Sequence, residues 1–82
     1  MKRSSKVIAA AKNNPQSASF TDLLFLAESA GFVLRGINGS HRIYKLAGVP
    51  ERLTLQPDGK YAKAYQVRQL LAVIAKYNIQ LT

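Results

Sequence analysis

Phe32-Val33-Leu34-Arg35-Gly36-Ile37, Asn38-Gly39-Ser40 and His41-Arg42-Ile43-Tyr44-Lys45-Leu46 follow one another without a break. The outer two segments are rich in β-branched and aromatic residues, which fit the pleated, half-buried surface of a sheet. The middle one carries Asn-Gly, the dipeptide best able to take the positive φ angles of a tight hairpin turn. The stretch therefore predicts an antiparallel β-hairpin. Alternation sets His41, Ile43 and Lys45 on one face and Arg42, Tyr44 and Leu46 on the other. Neither set is cleanly apolar, so the pattern does not say which face His41 takes.

Downstream, Ala47-Gly48-Val49-Pro50 breaks the pattern, and Arg52-Leu53-Thr54-Leu55-Gln56 resumes it as a short third strand. Pro57-Asp58-Gly59 reads as another turn. A final helix is expected from about Tyr65 to Tyr77, with Val67, Leu70, Leu71, Ile74 and Tyr77 on one face and Arg68, Gln69 and Lys76 off it. Upstream, Thr21 is placed to cap a helix running to about Ala30. Asp22 adds negative charge at the positive end of its dipole, and Gly31 ends it. Phe20, Leu23, Leu24 and Ala27 form the stripe of that helix, and Phe25 sits off it. A first helix, Ser4 to Lys12, stops at Asn13-Asn14-Pro15 because proline disfavours helix at the residue before it. Its Val7, Ile8 and Ala11 are expected to dock against Phe25, with Gln16 to Ser19 a polar linker. The expected fold class is α+β, in the order ααβββα. Its three-stranded antiparallel sheet buries one face against the helices and leaves the other to solvent.

Eighty-two residues form one expected domain, 1–82, with 1–14 an added N-terminal helix and 20–78 the core. A core this thin leaves room for surface sites and not for a large enclosed cofactor. None is expected. Cysteine is absent and His41 is the only histidine, so neither a disulfide framework nor a conventional zinc site can be assembled, and no metal site is expected. No apolar run approaches the roughly 20 residues of a membrane helix. The basic start leads into Val7-Ile8-Ala9-Ala10-Ala11, too short and too weakly apolar for a signal peptide, so the expected address is the cytoplasm with no membrane contact. Twelve Lys and Arg against four Asp and Glu give a net charge of +8. Such a field draws polyanions, and nucleic acid is the leading partner class, an acidic protein the other.

The usual catalytic constellations are missing: no Ser-His-Asp order, no paired carboxylates and no phosphate-binding glycine loop. His41 remains, and imidazole alone both accepts and donates a proton near neutral pH without a perturbed pKa. Gly39 permits close approach of a phosphate, Ser40 can hydrogen-bond it, and Arg35 and Arg42 on neighbouring strands can supply charge. Lys60 and Lys63 are further candidates for RNA contact, with Arg68 behind them. The bland alternative is that His41 is an ordinary polar residue at a strand edge, Gly39 a turn residue and the cations a solvated surface. Tyr44 can stack on a base or sit half-buried in the sheet.

Apart from the first helix, α-β-β-β-α is the order of double-stranded-RNA-binding domains. Gly31-Phe32 entering a strand, followed by Gly39-Ser40-His41-Arg42-Ile43-Tyr44, resembles the signature of the HicA toxins. Gln56-Pro57-Asp58-Gly59, Ala62-Lys63 and Tyr65-Gln66-Val67-Arg68-Gln69-Leu70 resemble a branch of the same family, and the likeness spans about Phe20 to Tyr77. It implies a dsRBD-like fold and a ribosome-independent mRNA interferase, with mRNA as substrate. It also implies inhibition by an acidic HicB-type antitoxin and dependence on the histidine of the Gly-Ser-His motif, here His41. Ala64 stands where that pattern would have proline, and the first helix extends beyond the minimal family fold. The competing readings are a noncatalytic double-stranded-RNA-binding module and a basic structural protein of a larger assembly.

Overall fold

A computed structural model describes residues 3–82 as an α+β domain. Helix α1 (Arg3–Asn13) leads through a short 3-10 turn at Pro15–Ser17 into α2 (Phe20–Ser29). Strands β1 (Val33–Asn38), β2 (His41–Leu46) and β3 (Val49–Leu55) follow, then a miniature hairpin of β4 (Pro57–Asp58) and β5 (Tyr61–Ala62), and finally α3 (Ala64–Lys76). The expected ααβββα order is present, with β4–β5 inserted before the last helix. Met1 and Lys2, the start of the expected 1–14 segment, lie outside the described residues.

The main sheet is antiparallel in the order β1-β2-β3, so β2 is its middle strand. Tyr44 pairs with Leu34 on one side and Leu53 on the other. Tyr44, Leu53 and Leu55 are buried with Leu23, Leu26 and Ala27 of α2 and Val67, Leu70, Val73 and Ile74 of α3. That single apolar layer is the core. Each large side chain removed from water there contributes about 1.5–3 kcal/mol. β1 overhangs it, leaving Val33, Leu34 and Ile37 exposed.

Several local expectations are corrected. Ser19, not Thr21, caps α2: its Oγ accepts from the Asp22 backbone N–H at 3.0 Å. Ser19 is pinned for this by a bridge to Tyr61, which also means that the expected polar linker is partly ordered. The hairpin turn is Gly39-Ser40, because Asn38 still pairs with His41; Gly39 alone supplies positive φ, at 63°. β3 begins at Val49, three residues early, and it carries Pro50 because an edge strand tolerates a missing N–H. Pro57 and Asp58 are extended, so the next turn falls at Gly59-Lys60. Leu26 and Val73 join the core although the helical stripes omitted them. Helix α1 docks, but Ala11 is buried in the core and Val7 and Ile8 pack against that core, while the residue on Phe25 is Arg3, whose guanidinium lies 4.1 Å from the ring centre.

The C-terminal end of α3 is tied to β3 through Glu51, which accepts from the Tyr77 hydroxyl and from Lys76 Nζ at 3.0 Å. Those two bonds, the tyrosine's first, hold the Glu51 carboxyl below its ordinary pKa. A lowered carboxylate pKa stabilises the fold above the unfolded value and loses that contribution as pH falls through the folded value. Glu51→Ala should therefore lower the melting temperature at neutral pH, with the difference from the parent closing in acid below the carboxylate range. Leu53→Ala, a core deletion, should cost about 2–5 kcal/mol in urea unfolding at any pH where the fold persists.

Candidate functional site

Because Tyr44 is buried on the helix side, the two-residue period of a strand turns His41 to the open face of the sheet. His41 is solvent-exposed at the first position of β2, paired with Asn38. It follows a turn whose glycine has open space around it: a methyl group placed on Gly39 would meet nothing within 4 Å. Gly39 is thus required by its φ angle, and the same openness leaves its backbone accessible to a ligand. Ser40 Oγ is 3.3 Å from Gln56 Nε2, which donates to it.

Gln56 belongs to a longer chain of hydrogen bonds. Its backbone N–H donates to Gln66 Oε1 at 3.0 Å, and Gln66 Nε2 donates to the Tyr65 hydroxyl at 3.2 Å. Gln66 is buried at 2% exposure, and no buried side-chain polar atom among the described residues lacks a partner. The start of α3 is therefore joined through Gln56 to the Gly39-Ser40-His41 turn. Sequence reasoning missed both glutamines. A polar residue on the apolar side of a helix, one position before Val67, was the available signal.

The β4–β5 hairpin lies at this same end. It is fastened to the start of α2, with the Phe20 N–H donating to the Lys60 carbonyl at 3.0 Å and the Ala62 N–H to the Ala18 carbonyl at 2.9 Å. Lys60 is on its turn and Lys63 is the residue preceding α3, the helix that Gln66 and Gln56 join to Ser40. Ala64 is the first residue of α3. Proline is favoured at that position because the N–H there has no intrahelical partner, and alanine is equally compatible with it.

Arg35 and Arg42 are not gathered with His41. Arg42 alternates to the opposite, helix-facing side, half-buried beside Tyr44. Arg35 occupies a bulge between Leu34 and Gly36 and lines a groove with Lys45 and Arg52 towards the far end of the sheet. Lys45 and Arg52 were not singled out by sequence reasoning. Arg68 is exposed on α3. Tyr44 is a core residue, its hydroxyl 3.4 Å from Glu28 Oε2, and burial followed by the Glu28 charge raises its pKa. No cluster of three metal-ligating side chains occurs among the described residues, and no described helix is long and apolar enough to cross a membrane.

The fold is thus a small α+β domain that presents one exposed histidine directly after a glycine-serine turn, at the start of the middle strand of its sheet. Residues 20–75 match the family model described as the HicA toxin of bacterial toxin-antitoxin systems, and the chain belongs to that family. It is a toxin of a toxin–antitoxin pair, a class that works with a cognate antitoxin. Helix α1 lies outside the matched segment. Searches of curated proteins and of solved structures returned no match.

Gln66→Leu removes the acceptor for the Gln56 N–H while keeping an apolar fill. The expected cost is about 1–3 kcal/mol of stability. Faster hydrogen exchange at the Gln56 amide should accompany it, measurable by NMR.

Proposed function

We propose that this toxin is a metal-independent endoribonuclease that cleaves mRNA in the cytoplasm, with His41 as general acid/base, and that a HicB-type acidic antitoxin neutralises it. The observation that carries the proposal is the family match joined to the placement of His41: the sole histidine is exposed, on the open face, directly after Gly39-Ser40.

Neutral imidazole at this position takes the proton from a ribose 2′-OH. The freed oxygen attacks the adjacent phosphorus, the bond to the 5′-oxygen breaks as that oxygen takes a proton from water, and a 2′,3′-cyclic phosphate remains. The substrate supplies its own nucleophile, and DNA, lacking the 2′-OH, is spared. The Gly39 backbone and the Ser40 hydroxyl receive the phosphate, with Ser40 oriented by Gln56. Lys60 and Lys63 supply positive charge at that end. Arg35, with Lys45 and Arg52, tracks the strand further along the sheet. One positioned acid–base group contributes about 10²–10⁴ in rate. A net charge of +8 favours capture of RNA and, equally, of an acidic antitoxin.

Induced expression of the parent chain should arrest growth and deplete mRNA, leaving cyclic-phosphate ends. His41→Ala, present at the same level and folded, should do neither. mRNA loss with both chains would remove His41 from the mechanism, and intact mRNA with both would favour a noncatalytic RNA-binding role.

A further inference from the structure

Between β5 and the start of α3 lies an open groove of about 460 Å³, lined by Gln16, Asp58, Tyr61, Lys63 and Tyr65 among others. Its size falls within the span of small-ligand sites, about 300–1,000 Å³. Two tyrosine rings face solvent here, Tyr61 at 44% and Tyr65 at 58% exposure. By contrast, Phe32 and Tyr44 are buried, and Phe20 and Tyr77 pack partly against the core. Lys60 Nζ lies 5.3 Å from the centre of the Tyr61 ring, and Lys63 stands on the groove wall. Exposed aromatic rings interleaved with lysines are the arrangement by which single-stranded nucleic acid is held, the rings stacking on bases and the cations following phosphates. The Asp58 carboxylate disfavours a phosphate inside the groove and can accept from the amino edge of a base.

We propose that this groove is a nucleobase subsite, taking an unpaired base of the RNA strand next to the phosphate held at Gly39-Ser40-His41. The proposal rests on the reading of the protein as an RNA-cleaving toxin. Two features tie the groove to that turn. Tyr65 is linked through Gln66 and Gln56 to Ser40 by three successive hydrogen bonds of 3.2, 3.0 and 3.3 Å. The groove's other wall is fastened to the start of α2 by the Ser19–Tyr61 bridge and the Ala62–Ala18 bond, so the site is formed before the ligand arrives. The rings therefore fix which nucleotide stands beside His41, and they act in substrate selection rather than in the chemical step.

The test is binding of short oligo(A), oligo(C) and oligo(U) RNA, and of an abasic ribose-phosphate strand, to the full chain in a His41→Ala background that leaves RNA intact. Adding Tyr61→Ala with Tyr65→Ala should weaken binding of the base-bearing strands roughly five- to hundred-fold, as expected for loss of base stacking. Affinity for the abasic strand should not change. Tyr61→Phe with Tyr65 left in place, which keeps both rings and the Gln66–Tyr65 bond, should bind like the background protein. Equal loss on base-bearing and abasic strands, or no loss on any, would overturn the subsite. So would unchanged RNA affinity with lost antitoxin binding, which would make the groove a protein-docking surface. Failure of the RNA-cleaving reading would appear separately, as intact mRNA in cells expressing the parent chain whatever the binding result.

Discussion

The burial of Tyr44 on the middle strand is the constraint on which the rest of this structure depends. Its ring is packed between paired strands on the helix side, against a layer of leucines and valines from α2, β3 and α3. A strand has no freedom to place one residue and not its neighbours: each position inverts the face of the last. Once Tyr44 points inward, Arg42 turns towards the helices and His41 turns to solvent. The Tyr44 hydroxyl is matched by Glu28 at 3.4 Å, so the aromatic anchor does not leave a buried polar group unpaired. The exposure of the candidate histidine is thus a consequence of core packing three residues away.

A second level of organisation lies outside the main sheet. The β4–β5 hairpin is only two residues per strand, far too short to be stable alone. It is ordered by backbone bonds to Ala18 and Phe20 and by the bridge at Ser19, which is at the same time the cap of α2. One serine therefore begins a helix and fixes the wall of a groove. Gln66 has an equivalent double part, since its amide satisfies the Gln56 backbone and meets Tyr65. These connections make the end of the sheet near His41 a pre-arranged surface. Preorganisation matters for a domain this small, where ordering a loose loop on binding would consume much of the interaction energy.

The cations fall into separate groups along the molecule. Lys60 and Lys63 stand beside Tyr61 and Tyr65 around the β4–β5 hairpin, while Arg35, Lys45 and Arg52 share a separate groove on the sheet. The acids that do occur are largely committed to internal work: Glu51 binds Lys76 and Tyr77, Glu28 meets Tyr44, and Asp22 lies in the first turn of α2. Helix α1 stands outside the matched family segment, yet Ala11 is buried and Arg3 stacks on Phe25. It is an integral part of this molecule's packing.

The sequence by itself determined the α+β class, the order of helices and strands, the hairpin around Gly39, and His41 as the sole acid–base candidate. Each of these is carried by residues within a few positions of one another: the run from Phe32 to Leu46, the 3.6-residue stripes of α2 and α3, and the count of one histidine and no cysteine. Tertiary structure alone decided which face His41 takes, that Ser19 and not Thr21 caps α2, and that Arg42 and Arg35 stand apart from the histidine. It alone joined Gln66 and Gln56 to Ser40, residues up to 26 positions apart in the chain. The physical reason is the same throughout. Periodicity and turn chemistry are local, whereas burial, register and hydrogen-bond satisfaction depend on which distant segment arrives opposite, and a strand with mixed faces such as His41–Leu46 carries no local signal strong enough to choose.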